Sequence, residues 1–140
     1  MFRNYRRLLA VWLSDFGRSE GWIIERAGLP IGKLRDAAFA EMFWDLYHVE
    51  ECVDDLTQVS VLADEFWTQF DFKNIKFRSI ATDEVIDSAI PKIQPPDELG
   101  RVVIRGLYIP VREPSVLERG VLALIRKLAM GPKKGQEPNW

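Results

Sequence analysis

Apolar positions recur at helical spacing in two stretches of the chain. Leu56, Val59, Ala63, Phe66, Trp67 and Phe70 form one stripe. Asp54 and Asp55 stand where acids favour a helix N-terminus, so a helix is expected over 55–70. The second stripe is Leu117, Val121, Leu124, Ile125 and Leu128, expected to be buried. It follows Ser115-Val116-Leu117-Glu118, a capping box whose hydroxyl and carboxylate each satisfy a free backbone N–H. Gly131-Pro132 is expected to end this helix and leave 132–140 as a flexible polar tail.

Elsewhere the pattern favours strands. Leu8 to Leu13 is apolar on both faces, so periodicity does not decide it. The turn-like Gly17-Arg18-Ser19-Glu20-Gly21 leads into the β-rich Trp22-Ile23-Ile24-Glu25, and on that basis 6–13 is expected to be a strand. Ala27-Gly28-Leu29-Pro30 then turns the chain into Ile31–Leu34, giving an N-terminal meander. Residues 37–53 fit both periods. Phe43-Trp44-Asp45-Leu46-Tyr47 is dense in aromatics, which favours a strand. Ile75–Ile80 and Val85–Ile90 flank Thr82-Asp83-Glu84 as a hairpin, and 91–99 with Pro95-Pro96 reads as a loop. Arg101–Val111 reads as a strand with Gly106 as a bulge. The expected fold is α+β: a mainly antiparallel sheet with an N-terminal meander, a central helix, a second strand group, and a C-terminal helix packed on the sheet. A single domain would span 1–131.

Composition adds bounds. At 140 residues, with 47% apolar and 29% charged residues, the chain is of ordinary globular type. The single cysteine, Cys52, excludes an internal disulfide. The apolar run after the basic Arg3, Arg6 and Arg7 is six residues long and leads to Asp15 rather than a small-residue cleavage site, so no signal peptide is expected. Without a run approaching the ~18–20 apolar residues of a spanning helix, a cytoplasmic location without membrane contact is expected.

Net charge is −2, but it is segregated. Residues 36–72 hold ten acids (Asp36, Glu41, Asp45, Glu50, Glu51, Asp54, Asp55, Asp64, Glu65, Asp71) and no lysine or arginine. The flanks on either side stand at +4 each.

Catalytic signatures are weak. Ala27–Leu34 has a glycine-rich look but lacks the first glycine and the final Ser or Thr of a phosphate-binding loop. His48 is the lone histidine, which rules out sites built on several imidazoles. His48, Glu50 and Cys52 would lie ~7 Å apart per step on a strand, wide for one ion. No metal or other cofactor is therefore expected. A magnesium-dependent hydrolase or nuclease using Asp71 and Lys73 with an upstream acid is the alternative enzyme reading. Basic strand residues beside aromatics (Lys76, Arg78, Arg101, Arg105 with Phe77 and Tyr108) suit nucleic acid poorly, because the acidic stretch repels phosphate. Cross-strand pairing with Asp83, Glu84 and Asp87 explains them more simply.

The acidic stretch therefore carries the leading expectation. Asp45, Glu50, Glu51, Asp54 and Asp55 would gather at a strand-to-helix junction as an anionic surface, with Trp44, Tyr47 and Trp67 as aromatic anchors. Such a surface fits a non-enzymatic binding module that blocks a basic protein partner. Bacterial immunity proteins and antitoxins are objects of this type, an analogy that no motif carries. A homo-oligomer closed by the aromatics is the third reading.

Overall fold

The computed structural model describes residues 2–52 and 60–134. The chain opens with helix α1 (Phe2–Leu13) and continues through strands β1 (Trp22–Arg26), β2 (Leu29–Glu41) and β3 (Trp44–Glu51). A short helix, α2 (Asp64–Thr68), precedes β4 (Ile75–Ser79), β5 (Val85–Ile86), β6 (Ile90–Pro91) and β7 (Arg101–Arg105). Helix α3 (Val116–Lys134) closes the chain. The strands form one antiparallel sheet in the order β5-β4-β1-β2-β3-β7-β6, so the fold is α+β with a C-terminal helix.

The sheet buries one face. Trp22, Ile24, Leu34, Tyr47, Val49, Phe77, Val102 and Ile104 point into the core, joined by Val11 of α1, Val61, Trp67, Leu107 and Ile109. Alternation puts Ile23, Lys33, Arg35, Leu46, His48, Glu50, Arg78 and Val103 on the opposite, half-exposed face. Arg35 pairs there with Glu50 at 2.5 Å, and Arg78 with Glu25 at 2.7 Å.

The expected strand at 6–13 is a helix. An apolar run without period suits either element; the Arg, Leu and Ala of this segment lose little rotamer freedom in a helix, and it holds a single β-branched residue. Tyr5 meets Trp12 two turns on, ring centroids 6.2 Å apart, while Val11 and Trp12 go into the interior. The helix ends where Asp15, Phe16 and Gly17 take left-handed φ values of 57°, 59° and 93°. The Ser14 hydroxyl donates to the Val11 carbonyl and accepts from the Gly17 N–H. The N-terminal meander is thus β1-β2-β3.

Four other expectations shift. Residues 37–53 are not one strand: β2 runs to Glu41, Met42 and Phe43 turn the chain, and β3 returns. The central helix is shorter at its described end, since 60–63 is turn and only 64–68 is helical; Val53–Val59 lie outside the described residues. β7 stops at Gly106, whose φ of 76° leaves the strand region, so 107–111 is not strand. Helix α3 continues through Gly131 and Pro132 to Lys134. The remaining tail, 135–140, lies outside the described residues.

The capping box forms as expected: the Ser115 N–H donates to Glu118 Oε1 at 2.9 Å, and the Glu118 N–H to Ser115 Oγ at 3.2 Å. Arg112 adds a bidentate pair to the same carboxylate, and Tyr5 of α1 donates its hydroxyl to it at 3.1 Å. Arg126 donates to the Trp12 carbonyl, so α1 and α3 are tied at both ends of their contact. At the other side of α1, Arg7 forks onto Glu84 at 2.6 and 2.7 Å. The Arg112 guanidinium holds the Glu118 carboxyl far below its ordinary value of 4.5, and Arg7 lowers Glu84. A carboxyl depressed in the folded state contributes stability that is complete above the unfolded pKa and is lost as pH falls through the folded one. The attachment of α1 therefore weakens below about pH 4.5. Urea unfolding should show a midpoint that drops between neutral pH and about pH 3.5, with a smaller drop in Glu118→Gln. An equal drop in the variant would remove Glu118 from this account.

Candidate binding hairpin and cleft

The β2–β3 hairpin is longer than the core beneath it. Phe39 and Phe43 are 76% and 77% exposed and Met42 is 70% exposed, three large apolar side chains within five residues at one turn. Phe43 sits at φ 68°, the left-handed region that asparagine and glycine enter far more readily than an aromatic residue. Asp36 is likewise left-handed at φ 57°, and the ladder shifts register between Arg35 and Ala38 and again between Phe39 and Glu41. These irregularities re-aim the end of the hairpin.

Beneath it lies an open cleft of about 770 Å³. Phe39, Phe43 and Tyr108 wall it; Ala37, Gly106 and Leu107 lie at its base. Its charged groups are Asp15, Glu41 and Asp45 against Arg18 and Arg105. Arg18 Nε lies 3.3 Å from Asp45 Oδ2 and its Nη1 3.8 Å from Asp15, so it bridges the two acids. That Nε is buried and makes no well-aligned hydrogen bond. Lys92 lies 3.3 Å from Glu41 at the rim. Three carboxylates against two guanidiniums leave the cleft itself at −1, with aromatic walls.

The residues expected to form one anionic surface are placed apart. Trp44 is half-buried, its ring covered by Arg105 at 5.3 Å and Lys92 at 5.6 Å. Asp45 belongs to the cleft. Tyr47 is fully buried, with its hydroxyl 3.5 Å from the Leu107 carbonyl; burial first, then Asp45, pushes its pKa up. It is a core residue and cannot serve as an exposed anchor. Glu50 is engaged by Arg35 on the opposite sheet face, and Glu51 is exposed at the far end of β3. From Asp45 to Glu51 the strand advances roughly 20 Å. Asp54 and Asp55 lie outside the described residues. Trp67, the third expected anchor, is also fully buried.

What replaces that surface was partly visible. Glu41 and Asp45 belong to the acidic run, and Phe39, Met42 and Phe43 stand beside them, although their spacing also fits a helical core stripe. Asp15, Arg18 and Tyr108 join from distant segments, and nothing in sequence announces them.

Other constellations resolve plainly. Ala27 and Gly28, at φ 53° and 83°, are a two-residue hairpin turn between β1 and β2. Asp71 accepts from the Lys73 N–H at 3.0 Å and from Asn74 Nδ2 at 2.6 Å; these bonds, Asn74 foremost, lower its pKa. It holds its own turn. Among the described residues no three His, Cys, Asp or Glu side chains converge as metal ligands, and no helix is long and apolar enough to cross a membrane. Compared with protein-family models, curated proteins and solved structures, the chain matches none.

Proposed function

We propose that this chain is a non-enzymatic protein-binding module that presents the tip of the β2–β3 hairpin, with the acidic cleft behind it, to a basic partner. The observation that carries the reading is Phe43: an aromatic residue held at positive φ and left in water, beside two similarly bare residues, Phe39 and Met42. A turn selected for stability would place asparagine or glycine there. A residue that costs stability and hides no surface is explained by something outside the chain. Aromatic anchors beside Asp15, Glu41 and Asp45, which outnumber Arg18 and Arg105 by one in the cleft lining, favour a cationic partner that takes over their ion pairs and fixes its register by them. The basic active site of a toxin, including a nuclease, has that chemistry, and an immunity protein or antitoxin is the role that follows from it.

The pair of substitutions Phe39→Ser and Phe43→Asn tests this. Stability should be unchanged or rise by about 0.5–1 kcal/mol, because asparagine tolerates the left-handed turn. Capture of a stoichiometric basic protein from an extract of the native host, weakened by salt, should be lost with the pair and reduced by Asp45→Lys. A partner held equally well by the double variant, or no partner at all, defeats the reading.

A further inference from the structure

Helix α3 leaves bare the stripe that was expected to be its core face. Leu117, Val121, Leu124 and Leu128 are 79%, 45%, 56% and 70% exposed, while Leu122, on another side, is the residue that enters the interior. Their spacing of four, three and four residues keeps all four within roughly 60° of arc, the narrow seam of a coiled coil rather than a broad core face. In heptad terms Leu117 and Leu124 take d positions and Val121 and Leu128 take a positions.

The edges of the seam say what would cover it. On the g edge stand Gly120, Lys127 and, one heptad on, position 134, again a lysine. A Cβ placed on Gly120 would meet nothing within 4 Å, so a second backbone has room to approach there. On the e edge Glu118 is spent on Arg112 and Tyr5, and Ile125 is half-buried. Residues 119–134 carry Arg119, Arg126, Lys127, Lys133 and Lys134 and no acid. Arg119 and Arg126 are tied back to the Pro114 and Trp12 carbonyls, away from the seam, so cations flank the apolar face on one edge alone, which suits a lipid surface, with headgroups on both sides, less well than a helix. An antiparallel second copy would set lysine edge against lysine edge, and a parallel one would set it against Ile125 and a Glu118 already engaged by Arg112. Among the described residues the acidic stretch does not supply a partner helix either: α2 is five residues long and directs Trp67 into the core.

From the exposed d-a-d-a seam and its lysine edge, we infer that α3 is a docking helix for an amphipathic helix of another protein, one with leucine-type residues at a and d and acidic residues along the facing edge. This surface is separate from the β2–β3 hairpin and stands whether or not the hairpin binds a basic partner.

The test uses the full chain and two designed 21-residue peptides with leucine at a and d, one with glutamate and one with lysine at e and g. Labelled-peptide anisotropy should show binding of the glutamate peptide and none of the lysine peptide. Leu124→Asn with Leu128→Asn should weaken it by more than about tenfold, with an unchanged circular-dichroism melt, because both side chains are exposed. Lys127→Glu, which leaves the seam intact, should weaken the glutamate peptide and admit the lysine peptide. Failure of the glutamate peptide to bind, or equal binding of both peptides, overturns the inference. So does a dimer in sedimentation that Leu124→Asn/Leu128→Asn dissolves, which assigns the seam to a second copy. Seam-dependent partition onto phosphatidylserine vesicles without peptide binding assigns it to lipid.

Discussion

Gly106→Ala should destabilise the protein by about 3 kcal/mol, lowering the urea midpoint without changing the slope of the transition. Gly106 holds φ 76°, where an L-residue pays roughly 1–2 kcal/mol. A Cβ there would also stand 2.2 Å from the Ser88 carbonyl oxygen and 3.1 Å from its carbon. These are backbone atoms, so the clash cannot be relieved by turning a side chain. The Ser88 hydroxyl donates to the Gly106 carbonyl at 2.6 Å, and that bond would be strained as well. The consequence reaches the cleft, because Gly106 ends β7 and aims Leu107 and Ile109 into the core and Tyr108 at the cleft wall. A loss under about 1 kcal/mol would mean that the segment 88–89 moves freely, and the cleft with it.

The sequence announces some of this and hides the rest for identifiable reasons. The capping box at Ser115 was legible because its chemistry is local: each partner lies within one turn. The β1–β2 turn and the β4–β5 hairpin were legible for the same reason, although the second strand, expected to run from Val85 to Ile90, ends at Ile86 and Ile90 pairs instead with β7. Gly106 was recognisable as a break in a strand, though not as the end of it. The run Leu8–Leu13 was not legible, since six apolar residues have no period and the deciding contacts, Tyr5 with Glu118 and Trp12 with Arg126, span more than a hundred residues. The α3 stripe shows a deeper limit. Period reveals that one side of a helix is apolar; it does not say that the same chain covers it. The acidic run shows another. The acids of that stretch that lie on β3 are divided by its alternation between two faces, so Glu50 meets Arg35 on one and Asp45 meets Arg18 on the other. Among the described residues, charge segregation in sequence therefore did not become one charged surface. Where the hairpin outruns the core, from Phe39 to Asp45, acids and bare aromatics stay together.

Trp67→Ala separates core from interface most sharply. Trp67 is fully buried, and its indole N–H donates to the Val61 carbonyl at 2.8 Å. Val61 in turn packs over Gly32 of β2, where an added Cβ would meet it at 2.8 Å. On the other side Trp67 stacks on Phe70 at 5.8 Å and 17°, and Phe70 stacks on Phe77 of β4 at 6.0 Å and 5°. The indole thus joins the 60–70 segment to two strands of the sheet. Removing it should cost about 4 kcal/mol, from lost burial, a cavity, and a carbonyl left without its donor. Against a total stability of about 5–15 kcal/mol, that brings the chain near its unfolding threshold. Trp67→Phe should cost roughly half as much, keeping the stack but losing the hydrogen bond. The contrast with the hairpin is the decisive part. Phe39→Ser with Phe43→Asn should remove partner binding and leave the melt in place. Trp67→Phe should lower the melt and leave binding intact at a temperature where the variant is folded. If Trp67→Phe instead abolished binding without moving the melt, the buried aromatic cluster would be the contact surface, and the assignment of interface to the β2–β3 hairpin would be reversed.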